Sequence, residues 1–392
     1  MEKSALTSEF LGYFGGDASG IRIFTSPGRV NLIGEHTDYN GGFVFPAALT
    51  LATTVLARPR ADRRLRLVAT DLKNIVEADL DHLQAGRGLK WGNYQLGVAD
   101  ELQRAGYPLV GCDLLYDDKV PLASGLSSSA AIEVATAYAL VSLGAGKPVA
   151  IDPVKMAKIS QTAEHNFVGV MCGIMDQFAS AMGKKDHAIF LDCRTLAYEW
   201  VPLVMEGVSI VIANTNKKRS LGEGKYNERR SECEQGLQIL KQALPAATCL
   251  RDVTAAEFEE HGALIADPVL RNRVAHVVYE DDRVLRSVEA LKSGDLVLFG
   301  QLMDQSHDSL RDLYEVTGKE LDALVDAFRK VDGVIGARMT GAGFGGCAVA
   351  LVRNEALEAC EREVGAAYRA AIGYDTTFYV SDVGDGAREV TA

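Results

Sequence analysis

Residues 28–42 of this chain read Gly28-Arg29-Val30-Asn31-Leu32-Ile33-Gly34-Glu35-His36-Thr37-Asp38-Tyr39-Asn40-Gly41-Gly42. The segment places an arginine, two carboxylates and a histidine between two apolar runs, Ile21–Thr25 and Phe43–Leu49, which we predict to be strands. A charged loop between strands is typical of a ligand-binding site on a rigid scaffold. The alternative is a surface loop of exposed ion pairs, but such loops seldom alternate charged and apolar residues this closely.

The side chains of this segment suit a ligand rich in hydroxyl groups. Glu35 and Asp38 can each accept hydrogen bonds from neighbouring hydroxyls, and Arg29 offers a planar cation suited to phosphate oxygens. His36 and His165 have no metal-ligand spacing with other candidates, so we expect hydrogen-bonding or structural roles for them rather than zinc binding.

Length and composition limit the class of protein. With 392 residues and 47% hydrophobic content, the chain can build a substantial core and exceeds the usual size of one domain, so we expect two. The net charge of −12 argues against a general nucleic-acid or anionic-membrane surface. Seven scattered cysteines without a C-x-x-C pair, no membrane-spanning run and no signal-like start favour a cytoplasmic protein with reduced thiols.

The pattern of apolar residues differs between the two halves of the chain. The first half alternates strand-like and helical stretches, as in α/β proteins: Ile21–Thr25, Thr53–Arg58, Leu65–Ala69 and Cys112–Tyr116 for strands, Asn93–Ala105 and Ala130–Leu143 for helices. The second half resembles α+β proteins, with long amphipathic helices followed by a strand–loop–strand: Tyr226–Leu244, Val277–Lys292, Leu296–Leu313, Lys319–Val331 and Thr340–Gly346. We place the domain boundary near residue 200.

Residues 122–134 form a loop of small residues that leads into an alanine-rich helix. Amides at a helix start carry partial positive charge and lack internal partners, and serine hydroxyls add donors or a metal ligand, so the loop is suited to phosphate. The Walker pattern is absent, which disfavours a standard P-loop nucleotidase. The alternative is an ordinary N-cap, although the three serines Ser127, Ser128 and Ser129 exceed what one cap requires.

A second glycine-rich segment, Gly341–Gly346, satisfies the G-x-G-x-x-G formula of dinucleotide-binding sites. That fingerprint requires a helix after the glycines, whereas Cys347–Val352 is typical of a strand. We therefore predict a glycine-rich turn that lies against another ligand or domain.

Two acidic residues follow the phosphate loop in sequence. Glu164 lies near the end of one predicted helix, and Asp176 lies in the first turn of the next, so both could face the loop. Helix-start amides and a nearby arginine would favour ionised Asp176, which suits it to hold a substrate hydroxyl. A simple helix cap is the alternative for Asp176.

Taken together, these segments resemble a known superfamily. Three of them resemble its signature motifs, those of the galactokinase, homoserine kinase, mevalonate kinase and phosphomevalonate kinase (GHMP) superfamily: Pro27–Gly42, Pro121–Ala131 and Met339–Gly346. The first motif has the galactokinase form. Further segments match that family: Cys172–Gln177, Tyr226–Arg230 and Ser306–Asp312. The resemblance spans nearly the whole chain.

The resemblance implies an α+β fold of two domains, 1–203 and 204–392, with ATP bound between them. The first would contain a mixed sheet with a left-handed βαβ crossover, an exception to the usual handedness, and the second a ferredoxin-like antiparallel sheet with helices. It also implies transfer of the γ-phosphoryl group of ATP to the anomeric hydroxyl of α-D-galactose, the first committed step of the Leloir pathway. A monomer is expected, with galactose and ATP as its small-molecule partners.

The same resemblance implies roles for individual residues. Asp176 would position and deprotonate the attacking hydroxyl, and Arg29 would orient Asp176 and stabilise the transferred group. Mg²⁺ would be held by Ser129 and Glu164. The sugar would be held by Glu35, His36, Thr37, Asp38, Gly173, Asp176 and Tyr226. ATP would contact Trp91, Ala123, Ser124, Gly125, Leu126, Ser127, Ser128 and Ser129.

Several alternatives stay open at this point. Trp91 could pack in the core rather than line an adenine pocket, and Asp176 could position the hydroxyl without acting as a true base. Ala123 stands where many family members have glycine, which could alter ATP affinity. The chain could also be a galactose-sensing regulator without turnover, or a sister kinase acting on N-acetylgalactosamine, arabinose or galacturonate.

Overall fold

The computed structural model describes residues 3–121, 124–146, 149–203, 205–217 and 222–390. Its helices are α1 (Lys3–Phe14), α2 (Asn93–Arg104), α3 (Ser128–Gly144), α4 (Pro153–Ala163), α5 (Met175–Met182), α6 (Gly222–Leu240), α7 (Ala255–His261), α8 (Pro268–Ser293), α9 (Leu296–Ser309), α10 (Gly318–Phe328) and α11 (Leu357–Ile372). Its strands are β1 (Arg22–Asn31), β2 (Phe43–Val44), β3 (Pro46–Pro59), β4 (Arg64–Ala69), β5 (Ile75–Asp79), β6 (Cys112–Asp118), β7 (His187–Asp192), β8 (Tyr198–Pro202), β9 (Val208–Asn214), β10 (Val334–Thr340), β11 (Cys347–Arg353), β12 (Thr377–Ser381) and β13 (Arg388–Val390).

The strands form three sheets. A six-stranded sheet has the order β13-β1-β3-β6-β4-β5, in which β4 and β6 are parallel and the other pairs antiparallel. A four-stranded antiparallel sheet has the order β10-β11-β9-β12, and a three-stranded sheet has the order β2-β7-β8. The four-stranded order is that of a ferredoxin-like unit, so the predicted mixed and antiparallel sheets are confirmed. The left-handed crossover stays a prediction.

The prediction that residues 28–42 form one loop is wrong at its start. Gly28–Asn31 continue β1 and pair with β3, with a bulge between Pro27 and Arg29. The bulge allows a close approach, since a Cβ atom on Gly28 would lie 2.6 Å from the Leu126 carbonyl oxygen. The α/β pattern of the first half produces the predicted mixed sheet, in which β1, β3 and β6 are antiparallel neighbours and β4 and β6 are parallel.

Apolar residues pack into a core on the six-stranded sheet, a core on the four-stranded sheet and a core that lies between these two. The first core lies between the six-stranded sheet and α2 to α5, and the second between the four-stranded sheet and α6, α8, α10 and α11. The third combines residues from both sides, such as Val30, Phe45, Ile210 and Val349. The predicted boundary at 203/204 falls between β8 and β9, and β13 returns to the first sheet beside β1.

Two further features concern membranes and thiols. All seven cysteines are free thiols. Among the described residues, no helix has the length and apolarity needed to cross a membrane.

Close packing of α9 on β10 gives a testable prediction. A Cβ atom on Gly300 in α9 would overlap the Ile335 carbonyl oxygen, so Gly300→Ala must push the helix from the strand. We expect it to destabilise the protein by about 2 kcal/mol, as overpacking does. Gly12→Ala is the matched control, because Gly12 is also helical and a Cβ atom there would meet no neighbour within 4 Å. Urea unfolding midpoints that fall equally for both variants would contradict this account.

Candidate active site

The guanidinium group of Arg29 joins three parts of the fold. It is 3% exposed, and its Nε and Nη2 atoms lie 2.9 and 2.7 Å from Oδ1 of Asp176. Its Nη1 atom donates to the Gly125 carbonyl at 2.5 Å, and its backbone N–H donates to the Leu126 carbonyl at 3.0 Å. Strand β1, the phosphate loop and helix α5 are therefore fixed relative to one another by one residue.

Asp176 is oriented through both carboxylate oxygens. Its Oδ2 atom accepts a hydrogen bond from the Ser127 hydroxyl at 2.6 Å, while Oδ1 faces Arg29. The side chain is 30% exposed, unlike that of Arg29, so part of the carboxylate remains accessible to a ligand. It lies in the first turn of α5, where helix-start amides favour negative charge. The predicted contact between Asp176 and Arg29 is present.

The phosphate loop ends in a left-handed residue at the start of α3. Ser127 has φ of 61° and Gly125 has φ of 83°, and α3 begins at Ser128. The Ser128 hydroxyl donates to Asp118 at the end of β6, and the buried Ser124 hydroxyl donates to the Pro121 carbonyl, just before the loop. Ser129 is half-buried in the first helical turn. Hydrogen bonds of Ser124 and Ser128 thus hold the loop in place, and the loop leads into a helix N-terminus. This arrangement binds anions.

Leu126 is fully buried and its role in the loop is to support Arg29 through its carbonyl. Ala123, the predicted departure from the family pattern, lies outside the described residues.

The glycine-rich turn after β10 packs on the phosphate loop. Gly341 has φ of 86°, and a Cβ atom there would lie 2.7 Å from the Gly125 carbonyl oxygen. Its N–H donates to Oε1 of Glu35 at 2.8 Å. We predicted a turn against another ligand or domain, and the turn contacts Gly125 and Glu35 of the predicted N-terminal domain, so it links the first and second motifs.

Asp38 lies against the backbone of Gly173. A Cβ atom on Gly173 would overlap Oδ2 of Asp38, so only glycine leaves room for the carboxylate. Burial, and then the charge of Asp176, raise the pKa of Asp38 to about 7, although backbone N–H groups of Tyr39 and Met175 oppose the shift. The Asp176 charge thus acts on the Asp38 carboxyl, as expected for two acidic residues that contact the same ligand.

Aromatic rings surround His36. The residue has φ of 64°, and its Nδ1 atom lies 2.8 Å from the Tyr39 hydroxyl. Its ring centroid lies 5.7 Å from that of Tyr226 and 4.8 Å from that of Tyr314. Burial and the charge of His276 lower the pKa of His36 to about 3, so the ring is neutral. The resemblance implied a sugar contact for Tyr226, which stays a prediction, and did not point to Tyr39 or Tyr314 beside His36.

Thr37 is fully buried and its hydroxyl is used inside the loop. The Oγ1 atom lies 2.9 Å from the Gly34 carbonyl and 2.6 Å from the Phe43 carbonyl. This arrangement favours a structural role in which Thr37 closes the loop, rather than a direct contact with sugar.

Trp91 packs beside the first core. It lies in a short 3₁₀ turn, Lys90–Gly92, with its ring 6.3 Å from that of Tyr116 in an edge-on arrangement. These contacts account for the tryptophan through packing, and its contact with adenine stays a prediction.

Glu164 belongs to a buried acidic group that the sequence predicted only in part. The Gln177 side-chain amide donates to Oε2 of Glu133 at 3.0 Å and to Oε2 of Glu164 at 2.8 Å. Burial, and then Glu164, raise the pKa of Glu133 well above its usual value. Glu133 follows Ser129 by one helical turn, and Gln177 follows Asp176 directly. This spacing in the sequence could have indicated that both residues lie beside the predicted metal ligands.

The oxygen atoms of this group fit a divalent cation. Among the described residues, Oε1 of Glu133 and Oε1 of Gln177 are buried without hydrogen-bond partners. In the same part of the chain, no three His, Cys, Asp or Glu side chains form a metal cage by themselves. A hard cation that shares one or two carboxylates with substrate phosphates is the usual protein arrangement for Mg²⁺.

Helix α8 accepts hydrogen bonds from residues 28–43, which we call the sugar segment. The sequence did not predict these contacts between the second half of the chain and the first. Glu280 Oε1 accepts the N–H of Gly34 at 3.0 Å, and Asp281 Oδ1 accepts the N–H of Phe43 at 2.7 Å. These partners are separated by more than 230 residues in sequence. An amphipathic pattern identifies such a helix but not the loop that it contacts.

Models of known protein families match the segments of the chain that contain these motifs. Residues 8–59 match the galactokinase galactose-binding signature, residues 93–184 the N-terminal domain of GHMP kinases, and residues 287–370 the C-terminal GHMP kinase region. The galactokinase of Clostridium beijerinckii is 48% identical over 390 residues, which cover 99% of both chains. That of Lactiplantibacillus plantarum is 45% identical over 393 residues, which cover 100% of both.

Solved structures resemble the fold to different degrees. The galactokinase of Lactococcus lactis, crystallised with galactose, superposes with a TM-score of 0.95 at 43% identity and covers 99% of both chains. The mevalonate kinase of Methanococcus jannaschii reaches a TM-score of 0.67 at 20% identity, over 94% of this chain and 100% of that one, and shares the fold. With relatives this similar along almost its entire length, and with its three signature segments in contact at one site, the chain belongs to the galactokinase family of GHMP kinases.

Proposed function

We propose that this protein transfers the γ-phosphoryl group of ATP to the anomeric hydroxyl of α-D-galactose, giving α-D-galactose 1-phosphate and ADP. The observation that carries the proposal is the pair of contacts made by Asp176, with Arg29 on one oxygen and Ser127 on the other, at the start of α3. This places a partly exposed carboxylate beside a helix N-terminus suited to phosphate. The reaction begins the Leloir pathway of galactose utilisation.

In the proposed reaction, the anomeric hydroxyl donates a hydrogen bond to Asp176 and attacks the γ-phosphorus. The new O–P bond forms while the bond to the β,γ-bridging oxygen breaks, and the hydroxyl proton passes to Asp176. Arg29 stabilises the charge that develops on the transferred group. Because the transition state is loose, orientation of the hydroxyl by Asp176 contributes more than early removal of its proton.

Ser129 and Glu164 would hold Mg²⁺, with the buried oxygen atoms of Glu133 and Gln177 behind them. When bound, the ion neutralises charge on the β- and γ-phosphates. The N–H groups at the start of α3 bind phosphate oxygens through the residues from Ser124 to Ser129.

The sugar would lie between the carboxylates of Asp38 and Glu35 on one side and the rings of His36 and Tyr226 on the other. Asp38 accepts hydrogen bonds from sugar hydroxyls in its ionised form, and Gly173 leaves the room that its carboxylate needs. His36 and Tyr226 provide a neutral, largely apolar face for the sugar ring.

We also propose that the enzyme acts in the cytoplasm as a monomer, without nucleic acid or membrane. The support is its seven free thiols and its net charge of −12. A single-chain mass in light scattering is the expected result, and a stable dimer would contradict the monomer.

The direct test is Mg·ATP-dependent ADP release with galactose, 2-deoxygalactose, glucose, N-acetylgalactosamine, arabinose and galacturonate. We expect strong turnover with galactose and its 2-deoxy analogue alone. Galactose binding without turnover would favour the sensing regulator, and turnover confined to another sugar of the panel would favour a sister kinase.

Substitution of Asp176 tests the residue assignment. Asp176→Asn keeps the shape of the side chain but removes the negative charge that orients the attacking hydroxyl and takes its proton, so kcat should fall by about 10³-fold. ATP binding should change little, whereas the thermal midpoint should fall, because the variant leaves the buried charge of Arg29 without its carboxylate partner. Asp375→Asn is the control, because Asp375 pairs with Arg369 on the exposed surface and should leave the rate unchanged. A near-normal rate for Asp176→Asn would remove it from the reaction.

The raised pKa of Asp38 predicts proton release on sugar binding. The free carboxyl titrates near pH 7, whereas hydrogen bonds from sugar hydroxyls favour its ionised form, so galactose affinity should rise from pH 6 to pH 8. At pH 6, binding should release about one proton per site. Calorimetry in buffers of different ionisation heats measures this number, and the same titration at pH 8.5, where release should vanish, is the control. No release at pH 6 would contradict the assignment.

A further inference from the structure

A fully buried arginine lies behind Glu35. Arg338, on β10, is completely inaccessible to solvent. Its Nη1 atom donates to the Asn31 carbonyl at 2.9 Å and lies 3.3 Å from Oε1 of Glu35. Its Nε atom donates to the Ser306 hydroxyl at 3.2 Å. The guanidinium group thus contacts the sugar segment on one side and α9 on the other.

A second buried carboxylate completes this network. Oε1 of Glu280 accepts hydrogen bonds from the Ser306 hydroxyl at 2.5 Å and from the Gly34 N–H at 3.0 Å, and lies 3.9 Å from Nη2 of Arg338. Oε2 of Glu280 accepts from Nε of Arg283 at 2.7 Å. Burial would raise the pKa of Glu280, but Arg283, His276 and Arg338 outweigh it and hold the pKa at about 2. Glu280 is therefore ionised and fixes Arg338 electrostatically.

Glu35 is held by the C-terminal part of the chain at three points. Its Oε1 atom accepts the Gly341 N–H at 2.8 Å and faces Arg338, and its carbonyl oxygen lies 3.1 Å from Nε2 of His276. Gly341 follows Arg338 by three residues, so one strand end sets the direction of the carboxylate. The turn that begins at Gly341 also packs on Gly125 of the phosphate loop.

We propose that Arg338 and Glu280 are positioning residues for galactose recognition, which orient the Glu35 carboxylate toward the sugar through the ion pair and the shared Ser306 hydroxyl. The inference rests on the proposed function, in which Glu35 contacts the sugar. It assigns sugar selectivity to residues of β10, α8 and α9 that do not themselves contact substrate.

The arginine is needed for its geometry as well as its charge. A guanidinium group offers five donors in a fixed plane and can reach Glu35, Asn31 and Ser306 together, whereas an ammonium group is a single point charge. Arg338→Lys therefore keeps the buried positive charge but no longer fixes the orientation of the Glu35 carboxylate.

The experiment compares steady-state constants for wild-type enzyme, Arg338→Lys and Glu35→Gln with galactose and with each monodeoxygalactose. Arg338→Lys should raise KM for galactose about tenfold and leave KM for ATP within about twofold. Wild-type enzyme should discriminate against the deoxy sugar that lacks the partner of Glu35. Both variants should lose discrimination against that same deoxy sugar and keep it for the others.

Arg329→Lys is the matched control. Arg329 also makes several hydrogen bonds, to Asp304 and Asp308, and within the described part of the chain none of its hydrogen bonds or ion pairs reaches residues 28–43. It should lower the thermal midpoint without changing either KM or the deoxy-sugar profile.

Several outcomes would overturn the inference. A wild-type deoxy-sugar profile in Arg338→Lys, or an equal rise of KM for both substrates, would leave Arg338 a purely structural residue. If Arg338→Lys does not fold, Ser306→Ala removes the hydroxyl between Arg338 and Glu280. It should shift the same deoxy-sugar ratio in the same direction, and an unchanged ratio would equally overturn the inference. Failure of wild-type enzyme to turn over galactose would instead refute the proposed function.

Discussion

The site depends on one constraint, which is that the positive charge of the Arg29 side chain is buried away from water. A buried guanidinium must be matched by a carboxylate and by carbonyl acceptors, because an unpaired buried charge is strongly destabilising. Asp176 supplies the carboxylate, and Gly125 supplies a carbonyl from the phosphate loop. The residues proposed for phosphoryl transfer are therefore placed by the same interaction that allows β1 to be buried, and catalytic geometry follows from folding.

The second requirement is close approach of backbone segments. Gly28 meets the Leu126 carbonyl, Gly341 meets the Gly125 carbonyl, and Gly173 meets the Asp38 carboxylate, at distances that leave no room for a Cβ atom. Each of these three glycines is thus required by a different close contact, although all three contacts lie at one site. Where the backbones touch, the polar side chains around them have few alternative positions, which preorganises the pocket before substrate arrives.

The sequence predicted those helices and strands that a local pattern of apolar residues is sufficient to identify. Helix α2 and strand β6 agree closely with the predicted stretches, because periodic apolar residues identify an element wherever it packs. The Asp176 contact with Arg29 was also predicted, but through family resemblance, since no local rule joins residues 147 positions apart. The extension of β1 through Arg29 was missed because polar residues there are buried by contacts with β3 and the phosphate loop. The contacts of α8 and the Glu133–Gln177 pair were missed because they depend on tertiary structure.

The position of β13 has a consequence for how the protein is made. This strand follows every other described element in sequence, yet it pairs with β1 through Ile23 and Val390, and Arg22 forms an ion pair with Glu389. On the nascent chain, the edge of β1 that faces β13 therefore stays open until residues 388–390 have been synthesised. An unpaired edge readily takes up a strand from another chain. The strand that carries Arg29 thus keeps an edge open to pairing with other chains until the C-terminal strand of its sheet has been made.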